Sequence, residues 1–276
     1  MHDNQNLFDA VDLQWLKYRN QLHRCRHNCD EKNIHKLRIS IRRLLSLIEL
    51  LQALAADQNF RILKNSLKTQ LNTFNTLRDS QVMLETVSTD VFLLPELTPF
   101  LHQLHLTTQK LLIETPATIK SFDRDKLQQY LKAALQQLEK NCSDCDIKTA
   151  ILHAIDSQYQ NALERYKSID PDQPATLHRL RVSLKKFRYM LSCVSNLLVE
   201  LPSTHLEHLQ AYLTCLGEIQ NSCVLLHNLQ SFFHGSIPSS TLTHYQQHQK
   251  KLLDTYLANS EQIRSFWPLK PNELWK

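Results

Sequence analysis

The stretch HKLRISIRRL, residues 35–44, combines two surfaces in a single predicted helix. At about 100° per residue, His35, Arg38 and Arg42 fall within about 60° of one another and form one basic stripe. Arg43 falls about 80° away from His35, off this stripe. The apolar residues gather on the opposite side: Leu37, Ile41, Leu44, Ile48 and Leu51. The pattern predicts a helix anchored in a bundle by its apolar side, with its basic stripe directed at a different surface.

A second copy of this stretch, HRLRVSLKKFR, occupies residues 178–188, which is 143 residues further along the chain. About the same offset relates TLRDSQVML at 76–84 to EIQNSCVLL at 218–226. The second stripe is one residue longer and consists of His178, Arg181, Lys185 and Arg188, while Lys185-Lys186 aligns with Arg42-Arg43. Its predicted core residues are Leu180, Leu184, Phe187 and Leu191. The duplication predicts two repeat units, each centred on a basic helix.

The fold class follows from the spacing of the apolar residues and from the scarcity of glycine. Apolar residues recur at three- and four-residue steps along most of the chain, which has only two glycines in 276 residues. Sheet-rich folds use glycine in turns and bulges, so we predict an all-α protein. Pro95 and Pro116 are expected to bracket the fourth helix. The expected helices cover residues 8–27, 31–55, 58–89, 96–115, 123–140, 147–168, 174–199, 203–233 and 240–260.

The duplication also predicts the domain organisation, with a boundary between the halves near residues 116–122. We expect the whole chain to act as one domain, because each repeat supplies half of a paired site. The expected parts are a first helical repeat over 1–118, a connecting helix over 119–146, a second helical repeat over 147–262 and a C-terminal tail over 263–276.

Composition excludes several classes of function. Glycine-rich phosphate loops and dinucleotide-binding motifs need several glycines at fixed offsets, which this chain does not have. The first ten residues, MHDNQNLFDA, lack the basic and apolar segments of a signal peptide. The longest apolar stretch, 44–56, is too short and too interrupted to span a bilayer. We therefore expect a cytoplasmic protein with reduced thiols and without a membrane partner.

The basic residues are clustered, although the formal net charge is only +5. Arg61, Lys64 and Lys68 repeat the spacing of the first stripe on the next predicted helix. A basic helix face is most often simply solvated, but such a face usually mixes signs, because like charges four residues apart are destabilising. The same residue types at the same offsets in two repeats favour a polyanion-binding site. Arginine suits phosphate because its guanidinium can bind two oxygens at once.

The few aromatic residues near the stripes limit the nature of the polyanion. Proteins that bind single-stranded nucleic acid add aromatic stacking platforms to a basic surface. Here Phe187 is predicted to lie in the core, and only Tyr189 flanks the second stripe. This composition disfavours nucleic acid and favours a chain of bare phosphates.

These motifs resemble the CHAD family, named for its conserved histidine and α-helical domain, over residues 5–260. The family pattern is His-x-x-Arg-x-x-x-Arg-Arg-x-Arg, a later Arg-Asp-x-x-Val and a second His-x-x-Arg-x-x-x-Lys-x-x-Arg-Tyr. The matching residues are His35, Arg38, Arg42 and Arg43, then Arg78, Asp79 and Val82, then His178, Arg181, Lys185, Arg188 and Tyr189. The chain departs from the pattern at Leu45, where a third arginine is expected, and at Gln220-Asn221, which align with Arg78-Asp79.

The resemblance implies two pseudo-symmetric antiparallel four-helix bundles with a basic groove or pore between them. It also implies non-catalytic binding of inorganic polyphosphate, with polyphosphate granules as a further partner. From the pattern and the resemblance together, the candidate polyphosphate-binding residues are His35, Arg38, Arg42, Arg43, Lys64, Lys68, Arg78, His178, Arg181, Lys185, Lys186, Arg188 and Tyr189.

Several alternatives stay open at this stage. Arg78 either contacts the ligand directly or does not, in which case the role of the Arg78-Asp79 motif is that Asp79 holds a neighbouring Arg or His in place. The two histidines either donate to phosphate or are hydrogen-bonded inside the bundle. The basic face either binds polyphosphate or docks an acidic protein, a nucleic acid or a granule surface. No metalloprotease, hydrolase or triphosphatase motif occurs, so we predict no catalytic residue, metal or cofactor. The oligomeric state is left open.

Overall fold

A computed structural model describes residues 2–141, 147–194 and 203–267. These residues form the helices α1 (His2–His27), α2 (Glu31–Leu54), α3 (Gln58–Asn72), α4 (Asn75–Asp90), α5 (Thr98–Lys120), α6 (Arg124–Asn141), α7 (Ile147–Lys167), α8 (Pro174–Val194), α9 (Ser203–Phe232) and α10 (Ser239–Asn259). Two short 3₁₀ helices lie at Pro95–Leu97 and Ser260–Ser265. No strand occurs among the described residues, which confirms the predicted all-α fold class.

The prediction of one helix over 58–89 is wrong, because two helices, α3 and α4, occupy this range. The chain leaves α3 at Asn72, and the Thr73 hydroxyl donates to the Gln70 carbonyl at 2.7 Å. Phe74, at the break, is buried and packs against Phe122, with 6.0 Å between the ring centroids. The break therefore places an aromatic ring in the core between the two helices.

The prediction that Pro116 ends the fourth helix is also wrong. The helix α5 continues through Pro116 to Lys120. An interior proline removes one backbone hydrogen bond and crowds the preceding turn. The Thr115 hydroxyl donates to the Leu111 carbonyl at 2.6 Å in this turn, and Ile119 beyond it is fully buried. We attribute the continuation to the burial of this last turn.

The two basic helices lie at the centre of the fold. The helix α2 packs against α1, α3, α7 and α8, and α8 packs against α1, α2, α7 and α9. Asp30 caps α2, since its carboxylate accepts the backbone N–H of Asn33 at 2.7 Å. All predicted core residues of the two helices are buried, which confirms this part of the helical pattern: Leu37, Ile41, Leu44, Ile48, Leu51, Leu180, Leu184, Phe187 and Leu191.

Helices from both halves of the sequence share the hydrophobic core. The larger core cluster contains side chains of α2 and α8 together with Trp267, whose indole N–H donates to Asp156 at 3.2 Å. A smaller cluster joins α4 and α5 to α9 and α10. Among the described residues, no helix combines the length and apolar character needed to cross a membrane. The predicted helix end at residue 199 and tail residues 268–276 lie outside the described residues.

Candidate functional site

Five cationic side chains lie near one another where α2 packs against α8. The charges of the other four act on Lys185 and lower its pKa, so the side chains from both helices share one region. We call these five residues the central basic cluster: Arg38, Arg42, Arg181, Lys185 and Arg188. The stripe that is repeated in the sequence is therefore brought together in space.

Arg38 is the most buried member of the central basic cluster, with only 5% of its surface exposed. Its Nη2 lies 3.4 Å from Oδ1 of Asn75, the first residue of α4. Its Nη1 has no hydrogen-bond acceptor among the described residues. Burial, followed by the charge of Arg42, lowers the pKa of Arg38 to about 10. A buried polar group without a hydrogen-bond partner is costly, so Arg38 is unfavourably placed unless an acceptor is supplied.

Arg181 occupies the equivalent position in the second repeat. Its guanidinium lies against Gly217 of α9, where a Cβ atom would stand 3.3 Å from Nη2. Its Nε likewise has no acceptor among the described residues. Gly217 aligns with Asn75 at the offset that relates 76–84 to 218–226, so both arginines lie against the same point of the repeat.

Lys185 has the largest electrostatic perturbation in the central basic cluster. Burial and the charges of Arg42, Arg181, Arg38 and Arg188 together lower its pKa from 10.5 to about 6. A lysine in this environment is largely neutral at pH 8 until an anion offsets the neighbouring charges. An anion beside Lys185 would favour its protonated form.

Asp79 of α4 introduces a carboxylate beside the central basic cluster. Burial raises its pKa, while the nearby charges of Arg38, Arg78 and Arg181 act in the opposite direction. These neighbours come from both repeats, so the carboxylate lies near arginines of each. Arg78 itself pairs with Glu31, with 3.8 Å between Nη1 and Oε1.

The two histidines lie at equivalent positions near the first turns of α2 and α8. Burial, followed by the charges of Arg78, Arg38 and Arg42, lowers the pKa of His35. In the second repeat, Nδ1 of His178 lies 2.8 Å from Oε1 of Gln220, the residue that aligns with Arg78. Both histidine rings belong to exposed residues and remain accessible to a ligand.

Tyr189 is the aromatic residue next to the central basic cluster. The Arg188 guanidinium lies over its ring, 5.6 Å from the centroid. Its hydroxyl group also acts electrostatically on Arg38 and Arg181. The ring is therefore in contact with an arginine of the second stripe.

The candidate residues Lys64, Lys68 and Lys186 form a separate group around Glu49 of α2. The three lysine Nζ atoms lie 3.7, 3.8 and 3.2 Å from the Glu49 carboxylate oxygens. We call these three residues the lysine triad. The structure therefore divides the predicted basic residues into two groups.

Arg43 does not join either group. Its backbone carbonyl accepts a hydrogen bond from the Cys193 thiol at 3.3 Å. Its charge acts on this thiol, whose pKa is raised by burial to about 12. Lys17 of α1 acts on the same thiol, whereas Arg43 is not among the charges that act on Lys185.

Sequence reasoning missed Asn75, Gly217 and Glu49. Glu49 lies only about 40° from His35 on the helical wheel, so the stripe on α2 continues to it, two turns beyond Arg42. Gly217 is one of two glycines and lies inside a predicted helix, which marks a close approach. Nothing in the sequence singles out Asn75, because its contact with Arg38 depends on the break between α3 and α4.

A groove of about 1360 Å³ runs between α7 and α8 and opens next to the lysine triad. Glu49 and Lys186 line one part of it, and His178 and Arg179 line another. The groove provides room beside the triad for a chain-like ligand.

The fold and the site together define an all-α protein that contains two copies of a basic helix, each with a histidine as the first residue of its basic stripe. The chain belongs to the CHAD family, since a family model described as CHAD domain matches residues 10–230. The crystal structure of the CHAD domain from the plant Ricinus communis has a similar fold, with a TM-score of 0.69. It is 17% identical in sequence, and the alignment covers 95% of this chain and 89% of that chain. No curated protein sequence matches this chain.

Proposed function

We propose that this chain binds inorganic polyphosphate through the central basic cluster, without catalysing a reaction. The observation that carries the proposal is Arg38, which is 5% exposed among like charges and keeps Nη1 without an acceptor among the described residues. Holding a cation in this environment is unfavourable unless an anion offsets it. In this proposal the two repeats form pseudo-symmetric four-helix bundles, and the cluster lies in a basic groove between them.

The chemistry of the cluster favours a chain of phosphates over other anions. Four arginines and a lysine from two helices require a ligand with several closely spaced negative charges. Guanidinium groups bind phosphate oxygens in pairs, whereas single-stranded nucleic acid also needs free aromatic faces. The nearby ring, Tyr189, is covered on one face by Arg188. The members of the cluster are cationic groups, which bind phosphate oxygens without themselves supplying a nucleophile, and we propose binding alone.

A fourfold variant tests this proposal: Arg38→Ala, Arg42→Ala, Arg181→Ala and Lys185→Ala. We expect wild-type protein to bind long-chain polyphosphate with strong salt dependence, because counterions are released. The variant should bind more than about 100-fold more weakly, since one charge-assisted hydrogen bond contributes about 1.5–3 kcal/mol. Titration at low and high salt measures both effects, and circular dichroism checks the helical fold. Equal affinity of a folded variant and wild type would reject the site.

A matched control removes the same charge from a different surface. The exposed lysines suited to it lie on α5 and α6: Lys110, Lys120, Lys126 and Lys132. Their combined replacement by alanine should change polyphosphate affinity by less than about threefold, because exposed distant charges are screened. Similar losses in the control and the cluster variant would indicate a diffuse effect of net charge.

Competition separates polyphosphate from other polyanions. If polyphosphate is the ligand, it should displace duplex DNA and an acidic protein at a much lower phosphate concentration than DNA displaces it. If polyphosphate, duplex DNA and the acidic protein displace one another at similar concentrations of charge, the surface is a general docking surface for acidic partners.

A further inference from the structure

The face of α2 that carries Arg38 and Arg42 continues beyond the central basic cluster and ends at the carboxylate of Glu49. Glu49 follows Arg42 by seven residues, which corresponds to about 10 Å along the helix axis. Because Glu49 lies on the same side of α2 as Arg38 and Arg42, a ligand extending along this face would arrive at its carboxylate.

The lysine triad surrounds this carboxylate from two neighbouring helices. The Nζ atoms of Lys64 and Lys68 on α3 lie 3.7 and 3.8 Å from Oε1, and that of Lys186 on α8 lies 3.2 Å from Oε2. The Glu49 side chain is only 11% exposed, whereas the lysine side chains are 28%, 50% and 35% exposed. The carboxylate is therefore mostly covered, while the three lysine side chains remain partly exposed.

The charges in this group do not balance. One carboxylate faces three ammonium groups, which leaves the group with an excess of positive charge. Each ammonium group has three donors, so contact with Glu49 does not exhaust its binding capacity. The aligned position in the second repeat is Ser192, so this place in the repeat does not require a carboxylate.

Access to the lysine triad is open. Glu49 and Lys186 line the groove of about 1360 Å³ between α7 and α8, which offers space for a chain to lie against these two side chains. The carboxylate and a phosphate group would then compete for the same three ammonium groups.

We infer that the lysine triad is a second phosphate subsite and that Glu49 is its resident anion, which an incoming phosphate chain displaces. This inference rests on the proposed function. A short chain occupies the central basic cluster alone, whereas a long chain also reaches the lysine triad and meets the carboxylate there. Glu49 thus weakens the binding of long chains specifically and sets how strongly affinity depends on chain length.

The test is the isosteric variant Glu49→Gln, titrated with tripolyphosphate and with long-chain polyphosphate. At about 0.15 M salt, where the Debye length is about 8 Å, we expect the long chain to bind about three- to tenfold more tightly than to wild type, because one nearby like charge has been removed. Its salt dependence should become steeper, since more phosphates are neutralised. Tripolyphosphate affinity should stay within about twofold, because its subsite is two helical turns away.

Two further variants act as controls. Glu114→Gln makes the same charge change in the exposed pair with Lys110 on α5, where the ions are 3.9 Å apart, and should leave both affinities unchanged. The triple variant Lys64→Gln, Lys68→Gln and Lys186→Gln should weaken long-chain binding while leaving tripolyphosphate binding intact.

Each outcome has a distinct meaning. If wild type binds polyphosphate and Glu49→Gln leaves or weakens long-chain affinity, the inference is wrong and the proposed function stands. Tightening of both ligands by the same factor would also overturn it, because the effect would then not depend on length. If wild type binds neither ligand, the proposed function itself fails.

Discussion

Lys185 is one of the side chains of the central basic cluster that the fold keeps buried among like charges, which disfavours the protonated form. Burial and four arginine charges lower its pKa to about 6, and burial with like charges lowers that of Arg38 to about 10. These side chains weaken the folded state in the absence of a ligand. Residues that conflict with stability in this way are typical of functional sites.

Lys185→Met should make the stability of the free protein less dependent on pH. Between about pH 6 and pH 10.5 the unfolded chain holds a proton on Lys185 that the folded chain lacks, so wild-type stability rises with pH in this window. A full proton difference corresponds to a slope of about 1.4 kcal/mol per pH unit. Urea unfolding at several pH values should show a smaller slope for the variant and a higher free energy of unfolding at pH 7.

An exposed lysine on α6 provides the comparison. Lys132→Met should leave the pH slope unchanged, because this side chain is solvated in both states. Equal slopes for wild type and Lys185→Met would mean that Lys185 keeps its ordinary charge in the folded protein.

At the scale of helices, the two repeats place different residues against their equivalent arginines. In the first repeat the chain breaks between α3 and α4, and Asn75 contacts Arg38. In the second repeat the single helix α9 continues without a break, and Gly217 lies against Arg181. In the second case the guanidinium lies against the bare helix backbone. The absence of a side chain at Gly217 therefore helps to define where Arg181 lies.

Gly217→Ala should weaken polyphosphate binding without changing the net charge. Alanine is favoured over glycine in a helix by about 1 kcal/mol, so the melting temperature should stay the same or rise. Its Cβ would stand 3.3 Å from Arg181 Nη2, and the guanidinium must shift by a few tenths of an ångström. We expect affinity to fall about two- to fivefold, because oriented guanidinium contacts depend on position. Titration and thermal unfolding of the same samples measure both effects.

His208→Ala, at an exposed position of α9, separates helix stability from the contact with Arg181. It should not weaken binding. A loss as large as that of Gly217→Ala would show that helix propensity, rather than the displaced guanidinium, causes the effect.

For the whole molecule, the position of the cluster links binding to global stability. The helices α2 and α8 contact each other and carry both the central basic cluster and much of the shared core. A polyanion that relieves repulsion between α2 and α8 therefore stabilises the contact at the centre of the fold.

Long-chain polyphosphate should raise the melting temperature of wild type by several degrees. A ligand at about 100 times its Kd adds about 2.7 kcal/mol to the free energy of unfolding. The fourfold alanine variant should melt higher than wild type without ligand and should not respond to polyphosphate. Calorimetry at a fixed protein concentration measures both, and a wild type that does not respond at saturation would contradict the proposed site.

The sequence by itself determined the all-α class, the buried faces of α2 and α8 and the duplicated basic stripe, because helical periodicity is a local property. Only the tertiary structure decided that Arg38 and Arg181 both lie near Lys185, that Lys64, Lys68 and Lys186 converge on Glu49 and that Arg43 joins neither group. It also decided where the third predicted helix breaks. These features depend on which helices pack side by side, and contacts between distant segments leave no local pattern in the sequence.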